Sequence, residues 1–145
     1  MASWSGQSGL LASCHNERGE NISAAMIDPS REENYAFLEE FFDEQLDTFP
    51  DRWIHLGGDE AQLWMDACWA RNPKIRAFMT EKYFASVSDL EHYHIERLAA
   101  IIARLFAHKT TSTTGGEQRK MVFWDEVYAL MRPVKFLPLQ FFAQK

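Results

Sequence analysis

Between residues 35 and 49 the apolar positions recur at helical spacing, as Tyr35, Leu38, Phe41, Phe42, Leu46 and Phe49, and this pattern predicts a helix ending at Phe49-Pro50. Ser30 and Glu33 spell a capping box ahead of it, and Asp28-Pro29-Ser30 breaks the preceding stretch, which reads as a loop. The period then changes. Arg52-Trp53-Ile54-His55-Leu56 is short, apolar and β-prone, and Gly57-Gly58 stops it, so a buried strand is expected there. Asn72-Pro73 opens a short helix through Ile75, Phe78 and Met79. Ser88 and Glu91 form a second capping box, and Leu90, His94, Leu98, Ile101, Ile102 and Leu105 carry a long amphipathic helix. A polar linker from Lys109 to Lys120 leads to a second short strand, Met121-Val122-Phe123-Trp124, followed by Asp125-Glu126. From Arg132 onward neither period is clear.

Two short strands joined by helices of this length predict an α/β fold with a parallel sheet, because parallel neighbours need a crossover that is usually helical. In such folds ligands gather at the carboxyl ends of the strands. Asp59 and Glu60 follow the first strand, and Trp124 and Glu126 end or follow the second, so all four are candidates for one site. Cleavage of a glycosidic bond needs a carboxylic acid to protonate the leaving oxygen and a second group to stabilise the oxocarbenium-like centre; an indole suits the apolar face of a sugar or an acetamide. Asp59, Glu60 and Trp124 supply these parts, although an isolated Gly-Gly-Asp-Glu is more often an acidic turn than an active site.

Composition narrows the alternatives. A chain of 145 residues with 46% hydrophobic and 14% aromatic content has a one-domain length and a globular character. A formal net charge of -6 and a pI near 5.3, without a basic stripe, argue against nucleic acid or an anionic membrane as partner. No apolar run reaches the roughly 18 residues of a membrane span, and the first residues carry neither a basic nor an apolar signal-peptide region. No metal or other cofactor is expected: His55 lies inside an apolar strand and reads as a hydrogen-bonded core histidine, while His92 and His94 fall on different faces of a helix. Trp4, Trp53, Trp64 and Trp69 read as core or loop anchors. Cys14 and Cys68 are either free buried thiols or a pair closing a loop of roughly 55 residues, worth about 4 kcal/mol in the chain-entropy account. Asn21-Ile22-Ser23 is an N-glycosylation sequon, a short pattern that also arises by chance.

The residues resemble the glycoside hydrolase family 20 β-N-acetylhexosaminidases. The resemblance runs from Ser3-Trp4 to about Tyr128, through Phe49-Pro50-Asp51-Arg52-Trp53-Ile54-His55-Leu56-Gly57-Gly58-Asp59-Glu60, Cys68-Trp69, Asn72-Pro73-Lys74-Ile75, Phe78-Met79 and Trp124-Asp125-Glu126-Val127. It implies part of a (β/α)8 TIM barrel, from the end of strand three through strand five, over residues 1–131, with 132–145 as a divergent tail. It implies hydrolysis of terminal non-reducing N-acetyl-D-hexosamine from β-N-acetylhexosaminides by substrate-assisted retaining catalysis. In that scheme the 2-acetamido oxygen attacks the anomeric carbon, Glu60 matches the general acid/base, Asp59 orients and polarises the acetamide, Trp124 walls its pocket and Glu126 supports the rim. Cys14 and Cys68 match a disulfide of the animal lysosomal members; the resemblance, together with this pair and the sequon that offers Asn21 for glycosylation, implies a lysosomal or secreted setting and leaves a dimer of the full-length enzyme open. The early arginine and the histidine upstream of Ser3-Trp4 that the family uses are absent, as are later Trp, Tyr and Asp residues of its pocket. A fragment of such an enzyme is therefore expected, with a catalytically inactive sugar-binding or interaction fragment as the alternative.

Overall fold

The computed structural model describes Trp4, residues 6–110, residues 119–124, Val127 and residues 143–144. Their order is β1 (Leu11–His15), β2 (Asn21–Ile27), α1 (Glu32–Thr48), β3 (Trp53–His55), α2 (Gln62–Met65) running into a π-helical turn (Asp66–Ala70), α3 (Pro73–Glu81), α4 (Val87–Thr110), β4 (Lys120–Trp124) and β5 (Ala143–Gln144). The chain divides into two compact units: residues 1–36 with 60–94, and residues 37–59 with 95–145.

The first unit begins with an antiparallel hairpin where the sequence pattern suggests only a loop. β1 pairs with β2 through Leu11↔Ile27, Ser13↔Ala24, Cys14↔Ser23 and His15↔Asn21, with two irregularities in register. Its turn is organised by Asn16, whose Oδ1 accepts from the N–H groups of Arg18 (2.9 Å) and Glu20 (3.0 Å). The strands escape recognition because β1 buries only Ala12 and Cys14, small residues with no aliphatic signature, and β2 is exposed over its first four residues.

Ala12, Cys14, Ala25, Met65, Cys68, Trp69, Ile75 and Leu90 form the core of this unit. The π-helical turn buries Cys68 and Trp69 together; Cys68 is disulfide-bonded to Cys14, and the Trp69 indole N–H donates to the Ile27 carbonyl at 3.1 Å. Asn34, buried at the start of α1, directs Nδ2 at the carbonyls of Gly9, Leu10 and Asp28. The Tyr35 hydroxyl donates to the Pro29 carbonyl at 3.2 Å, and its oxygen also lies 3.2 Å from His94 Nδ1.

Both expected capping boxes are displaced by side chains nearby. At α1 the Ser30 N–H and hydroxyl donate to Asp28 Oδ1 at 3.0 and 2.6 Å, which engages the amide that a Glu33 cap would need. At α4 the reciprocal pair is Ser86 and Asp89, two residues upstream of Ser88 and Glu91: Asp89 Oδ2 accepts from the Ser86 N–H (2.9 Å), and the Ser86 hydroxyl from the Asp89 N–H (3.2 Å). Asn72-Pro73 opens α3 as expected, with Asn72 Oδ1 capping the N–H groups of Lys74 and Ile75.

The end of α3 is less conventional. The Phe84 N–H reaches the Met79 carbonyl and the Tyr83 N–H the Thr80 carbonyl, the paired bonds of a Schellman motif. Its left-handed position, normally glycine, is taken by Tyr83 at φ 59°, a residue that is 95% exposed.

In the second unit β3, β4 and β5 form a parallel sheet in that order, β3 to β4 in the register Trp53↔Lys120, Ile54↔Met121 and His55↔Val122. The parallel pairing agrees with the α/β expectation. β3 is shorter and more exposed than its apolar sequence suggests: Trp53 is 48% exposed, with Lys120 Nζ 4.9 Å from its ring centre, and only Ile54 is half-buried. Trp64, in the first unit, is 43% exposed, so of the core and loop anchors expected neither of these two lies in the core, whereas Trp69 does. Phe49 lies beyond the end of α1 and is 55% exposed. Lys109, late in α4, bridges Asp43 and Asp47 of α1, and Arg104 meets both carboxylate oxygens of Glu39 at 3.2 Å. Most of the linker and of the tail from Arg132 lies outside the described residues.

Two outcomes follow from these local geometries. Tyr83→Gly removes the strain of a left-handed non-glycine residue at the loss of little burial, and should raise stability to urea by roughly 1 kcal/mol. Hydrogen bonds from Asp43 and then Asp47 raise the Lys109 ammonium above its ordinary value of 10.5. A raised lysine contributes its full stabilisation below the unfolded value and loses it as pH climbs through the folded one. The melting temperature should therefore fall more steeply in the wild type than in Lys109→Met once the pH climbs past the ordinary lysine value of 10.5.

Candidate functional site

The site grows from the carboxyl end of β3. The ladder to β4 continues one residue past the strand, as the Leu56 N–H donates to the Val122 carbonyl at 2.8 Å, and the chain then turns on two glycines. Gly57 and Gly58 have φ of 76° and 98°, the left-handed region that other residues occupy only with strain. At Gly58 space is also lacking: a Cβ there would fall on Cγ2 of Val127.

The Gly57 residue is held at both ends. Its N–H donates to His55 Nδ1 at 3.0 Å, and its carbonyl accepts from the Trp124 N–H at 3.2 Å. The His55 ring lies 5.0 Å from the Trp124 indole, centre to centre, with the planes inclined at 60°. His55 is therefore exposed and bonded to the turn that follows it, and is not the core histidine that its strand position suggests. A histidine two residues ahead of a glycine turn was the available signal, and the apolar run around it obscured it. A cleft of about 220 Å³ adjoins the strand, lined by Leu46, Phe49, Asp51, Trp53, Ile54 and His55, among others.

Asp59 and Glu60 follow this turn, both exposed. Glu60 itself stands at φ 54°, a left-handed conformation that costs a glutamate about 1–2 kcal/mol. The strain falls on the residue for which the sequence suggests an acid role, in keeping with the tendency of such outliers to cluster at working sites. Glu60 also starts the 60–94 part of the first unit, and its carbonyl accepts the Leu63 N–H at 3.3 Å as the chain enters α2.

The structure thus brings His55, Gly57 and half-buried Trp124 together in the second unit and delivers Asp59 from the same turn, with Glu60 the next residue along the chain. Cys14 and Cys68 are joined in the first unit. Asn21 is exposed at the start of β2. Glu126 lies outside the described residues. Among the described residues no group of three or more histidines, cysteines, aspartates or glutamates is placed to hold a metal, and no helix is long and apolar enough to cross a membrane. Chemically, the arrangement offers two carboxylates beside each other in sequence, at the exit of a parallel strand.

Comparison with known proteins gives this arrangement a family. A sequence profile described as glycosyl hydrolase family 20, catalytic domain, matches residues 6–143. The chain is 40% identical over 129 residues to beta-hexosaminidase A of Caenorhabditis briggsae, covering 88% of this chain and 22% of that protein. It is 35% identical over 128 residues to human beta-hexosaminidase subunit beta, covering 87% of this chain and 20% of the relative. Among solved structures, a chitobiase from Flavobacterium johnsoniae matches with a TM-score of 0.55 at 25% identity, over 79% of this chain and 15% of that one. The chain spans about a fifth of the length of the curated relatives it matches. It belongs to glycosyl hydrolase family 20.

Proposed function

We propose that this chain carries the acid/base segment of a β-N-acetylhexosaminidase, an enzyme that removes terminal non-reducing N-acetyl-D-hexosamine from β-linked glycoconjugates or chitooligosaccharides. One observation supports this above the others: Asp59 and Glu60 leave the carboxyl end of β3 through a glycine turn tied to Trp124 at the carboxyl end of the adjacent parallel strand. Strand exits of this kind are where barrel enzymes assemble their chemistry. On this reading β3 and β4 are barrel strands four and five, residues 1–131 are a segment of the catalytic domain, and 132–145 are a tail.

Glu60 protonates the departing glycosidic oxygen and then deprotonates the water that completes hydrolysis. Asp59 holds the acetamide N–H so that its carbonyl oxygen attacks the anomeric carbon, and no enzyme carboxylate forms a covalent bond to the sugar. Adjacency suits this division. Neighbours in sequence are poorly placed to oppose each other across a ring, but they can serve two different atoms of one sugar. Trp124 presents an apolar wall to the acetamide methyl, and Glu126 is assigned a supporting place at the rim. The disulfide and the exposed sequon at Asn21 support a lysosomal or secreted setting, where oxidation and glycosylation both occur.

The leaving group tests the acid role. Diacetylchitobiose needs a proton on its departing oxygen, whereas nitrophenolate departs largely without one. Glu60→Gln should lower kcat on the disaccharide by about 100-fold or more and on the nitrophenyl glycoside by markedly less. Asp59→Asn should lower both alike. Equal losses on the two substrates in Glu60→Gln, or wild-type turnover of neither, would count against the assignment.

A further inference from the structure

We infer that His55 is a positioning residue for the carboxylate turn, acting through the Gly57 amide; the inference rests on the hexosaminidase reading for its consequence in catalysis. A backbone N–H can only donate, so the 3.0 Å contact between Gly57 N and His55 Nδ1 fixes Nδ1 as the acceptor and places the ring proton of the neutral imidazole on Nε2. The ring then has three duties in one place: it satisfies the Gly57 amide, it abuts Trp124 at 5.0 Å, and it borders the cleft beside β3.

The bond matters because β3 is short. It has three residues, and its ladder passes to β4 through Leu56 N–H before the chain departs. Beyond that point the Gly57 carbonyl is bonded to the Trp124 N–H, so the peptides flanking Gly57 are fixed on one side by the sheet and on the other by the imidazole. If the imidazole bond is lost, the plane of the Leu56–Gly57 peptide is free to rotate. A rotation there is passed to Asp59 two residues later through glycines that resist it least. His55 itself touches no reacting atom; it sets the direction in which Asp59 and Glu60 leave the strand. Because the same ring borders Trp124, it sets the acetamide wall and the carboxylate turn against each other with one side chain.

The test uses side-chain reach. The shorter side chain of His55→Asn puts an amide oxygen close to where Nδ1 stands, whereas the longer side chain of His55→Gln puts its oxygen near the Nε2 position and away from the amide. In the 15N-labelled chain the Gly57 amide should keep its exchange protection in wild type and His55→Asn and lose it in His55→Gln. On diacetylchitobiose, His55→Gln should lower kcat about tenfold to a hundredfold with KM changed little, and His55→Asn should restore most of it. Protection that persists in His55→Gln overturns the inference, as does a His55→Asn variant that is no better than His55→Gln. Glu60→Gln separates this from the parent reading. If Glu60→Gln loses kcat while both His55 variants retain it, the positioning role fails and the hexosaminidase assignment stands. If wild type turns over neither substrate, the catalytic consequence of the role fails together with that assignment, whatever the Gly57 amide shows.

Discussion

The short parallel pairing of β3 with β4 is the constraint from which the site takes its form. Three residues are few for a strand, and two of the three are exposed, so burial does little to hold it. Register does the work instead: His55↔Val122 and the Leu56 bond to Val122 bring the strand's end level with Trp124. Everything downstream, including the turn on Gly57 and Gly58 and the emergence of Asp59, starts from that level. Close packing then enforces glycine at Gly58, where Val127 leaves no room for a side chain.

The first unit is organised by different means. Its hairpin strands are weak in apolar content, and their faces are closed by a covalent bond, an indole hydrogen bond and a buried asparagine more than by aliphatic bulk. Local polar side chains decide the helix ends as well. Asp28, Asn72 and the Ser86–Asp89 pair each engage the orphan amides of a terminus or its approach, and in two of three cases the residue was not the one the simple pattern nominated.

The sequence pattern revealed what depended on periodicity and on motif. The long amphipathic helix, the Asn72-Pro73 start, the two parallel strands and the Gly-Gly-Asp-Glu exit were all legible, because each is encoded within a few neighbouring residues. The hairpin β1–β2 was not, since Ala12 and Cys14 carry the buried face of β1 without any residue of high strand propensity. Nor was the clamp at His55. An apolar run with a histidine in it suggests burial, yet Trp53 and His55 are turned outward and the histidine's partner lies only two residues ahead. The failure has a physical source: periodicity reports which face is apolar, but a three-residue strand is too short for a face to be defined.

The bond between Cys14 and Cys68 closes a ring whose backbone passes through both units, since residues 37–59 belong to the second while both cysteines lie in the first. The ring encloses α1, β3, Asp59 and Glu60. A single cut in any exposed stretch inside it, at the Asn16–Glu20 turn or around Phe49–Asp51, opens the ring into a line but separates nothing. The segment bearing the two carboxylates therefore stays covalently attached to the rest of the chain after a nick, and a protease must cut twice within the ring to release it, or the disulfide must first be reduced.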